Sequence, residues 1–395
     1  MKKGCTIKRV GDICDLVNGG TPKTSVEKYW GGDNLWITPA EMGKRESPYV
    51  DDTERKLTTA GLRESSARVL PPYSVIHSSR APIGHLVINT KPMSTNQGCK
   101  SLVPSSQIQH KFLYYYLSSI VELLESLGTG ATFKELSGSK LKEVPVPVPP
   151  LAEQQRIVAV LDEAFAGLAI AEANAATNLG NARALFECHL NAVFSQRGEG
   201  WVKKRLGELS RINYGYTESA TSERVGPRFL RITDIQGNRV NWETVPYCRI
   251  DKADLQKYKL ADGDIVFART GATTGKSYLV STPPNAVFAS YLIRVQLTET
   301  VLSPRFLNLF FQTQSYWDAI RSGVSGSAQG GFNATKLGEL EIPFPSSPKT
   351  QQEVVTELDA LAAETQRLTR LYEQKQAALA SLKKSLLHQA FSGNL

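Results

Sequence analysis

Two long stretches of the chain repeat apolar residues at alternating intervals of three and four positions. They cover residues 157–189 and 354–386. This spacing gathers the apolar side chains on one face of a helix, so it predicts two long helices that pack against each other. Each pattern with its flanks spans about 44 residues, or roughly 65 Å of helix.

The segments before these helices have a β-rich pattern instead. Short runs of β-branched and aromatic residues, separated by Gly, Pro, Ser and Asn, predict strands at 35–38, 73–77, 86–89, 230–233, 264–268 and 278–280. One amphipathic helix is predicted in each segment, over 111–126 and 305–320, ahead of a glycine-rich loop.

Proline-rich runs at 145–150 and 343–348 mark the boundaries, because proline ends a strand and tolerates the first turn of a helix. We therefore predict an α+β fold of four parts: a first block (1–150), a central helix (151–197), a second block (198–347) and a C-terminal helix (348–395). The helices should pair as an antiparallel coiled coil.

The two halves also repeat in sequence, about 196 residues apart. KRVGDICDLVNGG at 8–20 returns as KRLGELSRINYGY at 204–216, and SKLKEVPVPVPPLAEQQ at 139–155 returns as TKLGELEIPFPSSPKTQQ at 335–352. Such duplication predicts a pseudo-two-fold molecule that is suited to contacting two similar partners at once.

Composition and charge narrow the class of protein. With 395 residues, 41% hydrophobic, the chain is long enough for two or three folded domains. Its five cysteines contain no CxxC pair, no apolar run reaches 18 residues, and Asp12 and Asp15 interrupt the start. These features favour a cytoplasmic protein without a disulfide framework or zinc site.

The positive charge lies in the two blocks. The first block has 19 Lys and Arg against 14 Asp and Glu, and the second has 18 against 14. An excess of this kind favours a polyanionic partner slightly over an ordinary basic surface.

Three motifs resemble catalytic sites, but each lacks a feature that the chemistry requires. LPPY at 70–73 lacks the hydrogen-bond acceptor that adenine methyltransferases place first, and GATTGKS at 271–277 is one residue short of a phosphate-binding loop. ERK at 54–56 has no acidic partner from a separate strand. We therefore assign no catalytic and no metal-binding residue.

Two arginines are the main candidates for DNA contact. Arg80 and Arg269 each follow an apolar strand and precede a turn, where a guanidinium can reach a guanine edge or a phosphate. The alternative is an ion pair within the same block. Further basic candidates, expected to contact phosphate, are Lys44, Arg45, Lys100, Lys134 and Lys276. Tyr214 and Tyr216 can approach bases, whereas the tryptophans fit a β-rich core.

Several longer phrases carry a resemblance over the full length of the chain. They are GGTPKTSVEKYWGGDNLWITPAEM (19–42), NQGCKSLVP (96–104), FARTGATTGK (267–276), GATFKELSGSKLKEVPVPVPPLAEQQRIV (130–158) and LLHQAFSGNL (386–395). With the layout of block, helix, block and helix, they resemble the DNA-specificity subunit of type I restriction-modification systems.

The resemblance implies specific roles. Each block would be a target recognition domain for one half of a split DNA target, with Thr270 and Thr273 joining Arg269 in the contacting loop. The helices would form a spacer that docks two methyltransferase subunits, which use S-adenosylmethionine, and restriction subunits that translocate DNA. The expected docking residues are Gln154, Gln155, Gln351 and Gln352.

The chain departs from its own repeat at two places. Thr350 stands where the first helix start has Glu153, and Ala81 with Pro82 stands where the second loop has Gly271 with Ala272. The predicted function is a non-catalytic DNA-specificity subunit. The alternatives are a self-sufficient adenine methyltransferase or nuclease, and a coiled-coil scaffold without a DNA role.

Overall fold

The computed structural model describes residues 4–130, 134–324 and 331–393. Contacts divide the chain into two compact units, Met1–Ala176 with Gln374–Leu395, and Thr177–Glu373. Each unit contains one block and parts of two long helices. The first long helix is Leu151–Gln196 and the second is Pro348–Ser392, close to the lengths that the periodicity predicts.

A five-stranded sheet is the centre of the first block. Its strands, in spatial order, are Cys14–Asn18, Cys99–Pro104, Val75–Ser79, Ile83–Asn89 and Tyr49–Val50. All neighbours are antiparallel except the last pair. A three-stranded sheet (Arg55–Leu57, Trp30–Ile37, Ser94–Thr95) and a two-stranded sheet (Thr6–Arg9, Pro145–Val148) complete it.

The second block is built around four antiparallel strands. In spatial order they are Ser210–Tyr214, Leu292–Leu297, Ile265–Ala268 and Ser277–Leu279. Three strand pairs surround them: Trp201–Arg205 with Glu341–Pro345, Arg228–Leu230 with Ala286–Phe288, and Ile235–Gln236 with Arg239–Val240.

Short helices cover these sheets. In the first block they are Val10–Ile13, Pro39–Met42, Thr59–Arg63, His110–Ser119, Val121–Leu127 and Gly138–Lys142, with a 3-10 turn at Glu27–Tyr29. In the second they are Leu206–Leu209, Lys252–Tyr258, Pro304–Phe310, Gln314–Val324 and Ala334–Gly338, with 3-10 turns at Ile232–Asp234 and Gly271–Thr273.

The prediction of one amphipathic helix in each block was wrong, since each is broken in two. In the first block Ile120 leaves the helical region, with φ −117° and ψ 21°. In the second, the Thr313 hydroxyl accepts from the Tyr316 N–H at 3.2 Å and so begins a new helix. The apolar spacing continues across both breaks, so periodicity alone cannot reveal them.

The prolines at the block boundaries lie within strands, not only after them as predicted. Pro145 and Pro147 pair with Arg9 and Ile7 in a two-stranded sheet. An edge strand tolerates proline, because a missing N–H is lost only on the side without a partner strand.

The two long helices pack against each other within each unit. In the first unit Ile157 and Leu161 share a core with Leu386, Ala390 and the block. In the second unit Arg183 contacts Glu373 at 2.7 Å, whereas His189, further along the first long helix, contacts Glu357 at 2.8 Å. Rising numbers on one helix meet falling numbers on the other, so the pairing there is antiparallel, as predicted.

Candidate nucleic-acid interface

The first candidate surface lies where the buried strand Val75–Ser79 ends. Arg80 is the next residue, and its Nη1 lies 3.8 Å from Oε2 of Glu135. Nζ of Lys100, from the neighbouring strand, lies 3.3 Å from the other oxygen of the same carboxylate. We name Arg80, Lys100 and Glu135 the charged edge.

Arg80 and Glu135 are available to solvent, with 36% and 40% of their side chains exposed. Glu135 and Lys100 line an open cavity of about 590 Å³, whose wall also includes Asn18, Ser137 and Lys142. The ion pair joins two residues of the same block and is accessible to solvent, so it is compatible with a contact between Arg80 and DNA. An ion pair this exposed costs little to exchange for another anion.

The second candidate surface lies at the end of the strand Ile265–Ala268. The guanidinium of Arg269 lies 5.0 Å from the centre of the Tyr214 ring. Its backbone N–H donates to the carbonyl of Tyr291 at 3.2 Å. We name Tyr214, Arg269 and Tyr291 the aromatic edge.

No carboxylate pairs with Arg269 among the described residues, in contrast to Arg80. The Nε of Arg269 is buried there without a hydrogen-bond partner. The ring of Tyr214 positions the guanidinium by a cation–π contact. Its charge is therefore free to meet an external anion or a base edge.

Hydrogen bonds align the two edges residue by residue. The N–H of Ser79 donates to Gly98, and that of Arg269 donates to Tyr291. Leu136 donates to the carbonyl of Ser79, just as Phe332 donates to that of Arg269. Ser79 is thus the counterpart of Arg269, while Arg80 corresponds to Thr270.

The two blocks thus share one arrangement of strands and backbone hydrogen bonds, which we call the frame. The two arginines occupy neighbouring positions of this frame, not the same position. This offset agrees with the alignment of Ala81 to Gly271 in the sequence.

The other basic candidates are placed less uniformly. Arg45 is bound to the buried Glu41 at 2.7 Å and to the Asp52 carbonyl at 2.6 Å, which is the environment of a structural ion pair. Lys44 forms an exposed pair with Glu54 at 3.1 Å. Both follow the helix Pro39–Met42, on a loop separate from the strand end that carries Arg80.

Three candidates lie beside the named edges. Lys134 is exposed and precedes Glu135 in the chain. The Thr273 hydroxyl donates to the Thr270 carbonyl at 3.4 Å, and Lys276 is exposed where the same loop ends. The centres of the glycine-rich loops, 131–133 and 325–330, lie outside the described residues.

One histidine lies beneath the charged edge. His77 is fully buried in the central strand, and neither ring nitrogen has a hydrogen-bond partner among the described residues. Burial, with smaller contributions from His85 and Lys100, lowers the pKa of His77 to about 4. The ring is therefore neutral at pH 7. Phe267 takes the corresponding place in the second block, because His77 pairs with Lys100 as Phe267 pairs with Ile293.

Two of the four predicted docking glutamines serve the fold instead. The Gln154 amide donates to the carbonyls of Gln107 and Pro149 at 3.0 and 2.9 Å, and its oxygen accepts from the Gln109 N–H at 2.8 Å. Both Gln154 and its counterpart Gln351 are buried.

Gln351 repeats this pattern with Val301, Pro345 and Ser303, at 2.7, 2.8 and 2.9 Å. We name Gln154 and Gln351 with these bonds the glutamine clasps. Only Gln155 and Gln352 are exposed, so docking remains a prediction for those two.

The sequence did not single out Glu135 or Tyr291. Glu135 follows Lys134 in a loop where only basic residues were considered as DNA contacts, so a negatively charged residue was passed over. Tyr291 stands in FASYL, a phrase without a catalytic or DNA-binding motif. The exposure of an aromatic residue directly before a buried strand is the signal that the structure adds.

Within residues 4–130, 134–324 and 331–393, no group of three His, Cys, Asp or Glu side chains is arranged to hold a metal ion. The same residues contain no helix that is both long and apolar enough to cross a membrane.

Comparison with known proteins defines the class. The model of the type I restriction modification DNA specificity domain matches residues 2–176 and 198–377. The chain belongs to this family, which confirms the predicted family and the predicted role as its specificity subunit.

Two curated relatives illustrate the match. The MjaIX specificity subunit of Methanocaldococcus jannaschii is 35% identical over 229 residues, about half of either chain (54% of this one and 53% of the relative). The EcoKI specificity subunit of Escherichia coli is 24% identical over an alignment of 421 positions, covering 100% of this chain and 90% of that one.

Solved structures share the fold over its whole length. A chain from a structural study of complex assembly and conformational transition of the type I R-M system matches with a TM-score of 0.80, at 18% identity, covering 100% and 99% of the two chains. The HsdS subunit from Thermoanaerobacter tengcongensis matches with 0.66 at 17% identity, covering 100% and 98%. The predicted fold class is confirmed.

Proposed function

We propose that this chain reads a bipartite, asymmetric target in double-stranded DNA, with one block on each half-site. The observation that carries the proposal is the pairing of a shared frame with two chemically different edges. The side chains gathered at this frame are Arg80, Lys100 and Glu135 in one block, and Tyr214, Arg269 and Tyr291 in the other. Different side chains on one frame select different bases.

Charge supports DNA as the ligand. Both blocks carry an excess of Lys and Arg, and Lys134 and Lys276 stand exposed beside the two edges. Exposed lysines on glycine-rich turns are suited to phosphates, which supply most of the affinity and position the reading groups. Arg80 and Arg269, placed by strand ends, are suited to base edges.

We further propose that the chain contributes no catalytic group and acts by assembly. Two methyltransferase subunits would dock along the long helices, with Gln155 and Gln352 exposed near the two helix starts. Those subunits would bring S-adenosylmethionine, and restriction subunits would add translocation and cleavage. Such a complex acts on DNA in the cytoplasm.

Labelled S-adenosylmethionine tests this division of labour. The chain alone, incubated with genomic DNA, should transfer no methyl group, while the chain with its methyltransferase subunits should label adenine at one split sequence. Methyl transfer by the chain alone would support the self-sufficient methyltransferase. If the methyltransferase subunits labelled the same sites without this chain, that result would contradict a specificity role.

A further inference from the structure

Tyr291 is presented to solvent at the end of the second block's central sheet. The residue is 60% exposed, more than any other Tyr, Trp or Phe in the described part of the chain. The next residue, Leu292, is fully buried and begins the strand Leu292–Leu297. The chain thus turns from core to solvent at this residue.

The backbone around Tyr291 is held firmly, so the ring is displayed on a fixed support. The N–H of Leu292 donates to the Ala289 carbonyl at 2.8 Å, and that of Ser290 donates to the Tyr216 carbonyl at 2.8 Å. The Tyr291 carbonyl itself accepts from Arg269 at 3.2 Å. An exposed side chain on a rigid strand end loses little further backbone entropy on binding.

The first block has nothing comparable at this position. Gly98 is the counterpart of Tyr291, and a Cβ built there would lie 3.3 Å from Cγ of Arg80. In the first block, therefore, the Arg80 side chain lies beside the position at which the second block carries the Tyr291 side chain. At this position, therefore, only the second block presents an aromatic side chain.

We propose that Tyr291 contacts the 5-methyl group of a thymine in the second half-site. The inference rests on the proposed function and names one base contact within it. Phosphates and sugars offer little to an aromatic face, whereas the major groove carries a single apolar group, the thymine methyl. Arg269, bonded to the backbone of Tyr291, reaches the polar edge of a neighbouring base pair.

Replacing thymine by uracil removes only that methyl group. The assembled complex with its methyltransferase subunits is titrated with duplexes carrying the mapped target, each thymine of the second half-site being replaced by uracil in turn. One replacement should weaken binding by about fourfold, the value of one buried methyl group. Replacements in the first half-site serve as the control.

The variant Tyr291→Ala should bind the thymine target more weakly and should not distinguish uracil from thymine at that position. Tyr291→Phe keeps the ring and should retain the wild-type preference. The exposed position leaves the fold of both variants intact, which their unfolding midpoints would verify.

Two results would overturn the inference. One is a Tyr291→Ala complex that keeps the wild-type thymine-to-uracil ratio at every position, and the other is a second half-site without thymine on either strand. Both leave the split target in place. A complex without preference for any sequence would instead contradict the proposed function.

Discussion

The charged edge of the first block and the aromatic edge of the second are built on equivalent strands, but they differ in almost every side chain. Ser79 corresponds to Arg269, Gly98 to Tyr291 and Glu135 to Gly331, whereas the backbone bonds that align them are the same. The frame and the recognition chemistry thus reside in separate residues. A buried frame can stay constant while exposed strand ends change the bases that are selected.

The glutamine clasps should reveal how closely the frame is shared. Gln154→Ala and Gln351→Ala each strip a buried amide from three backbone partners, so each should lower the free energy of unfolding by about 3 kcal/mol. Urea unfolding of the purified chain measures it. Gln155→Ala and Gln352→Ala, at exposed positions, should change it by less than about 0.5 kcal/mol. A large loss at only one clasp would break the equivalence of the two frames.

His77 should make the stability of the chain depend on pH, whereas its counterpart Phe267 in the second block cannot titrate. Its pKa of about 4 lies below the ordinary value of 6.5, so the unfolded chain binds the proton first. The stability of the wild type should therefore fall, from this group alone, as the pH drops from 6.5 to 4, by about 3 kcal/mol.

His77→Phe, which copies Phe267, should remove that dependence and leave the unfolding free energy at pH 8 nearly unchanged. Urea titrations at several pH values compare the two chains. Parallel curves for wild type and variant would show that His77 does not titrate in this window.

The two arginines should affect different half-sites. Arg80→Ala and Arg269→Ala should each cost about 1–3 kcal/mol and relax one position if they read a guanine. A phosphate contact would instead weaken all sequences and reduce the salt slope by about 1. Binding of the complex to a library of variant targets, at two salt concentrations, distinguishes these cases. Unchanged affinity and slope would assign Arg80 to its ion pair with Glu135 alone.

Exchanging a single carboxylate between the edges should have the smallest effect. Glu135→Gly removes the partner of Arg80 and Lys100, and should raise affinity for random duplex two- to fivefold, as expected for the exposed pair with Arg80. Gly331→Glu should lower the affinity for random duplex similarly, because it places a carboxylate near Arg269. The position has room for a side chain, since a Cβ built there lies an ordinary 3.4 Å from the Arg269 carbonyl oxygen. Fluorescence anisotropy with random duplex measures both. Changes of the same sign would show that the two positions are not counterparts.

Periodicity and repetition predicted most of the frame. The spacing of three and four residues located both long helices. The breaks at Ile120 and Thr313 were missed because a local change in backbone dihedrals leaves the apolar pattern intact. Lys44 and Arg45 were grouped with the other basic residues, although Arg45 is bound to a buried carboxylate.

The edges required the structure because they join residues far apart in the chain. Arg80 and Lys100 both contact Glu135, which lies 55 positions beyond Arg80 in the chain. Tyr214 reaches Arg269 across the sheet, over a similar separation. Sequence reasoning found the arginines by their strand-to-turn pattern, but it could not identify which residues surround them.

Replacing residues 1–150 by the corresponding block of another family member, and mapping methylated adenines across a genome, tests the central claim most directly. Each edge is confined to its own block, so the recognised sequence should change in one half only, with the other half retained. A change in both halves, or in neither while the complex still methylates, would contradict the assignment of one half-site to each block.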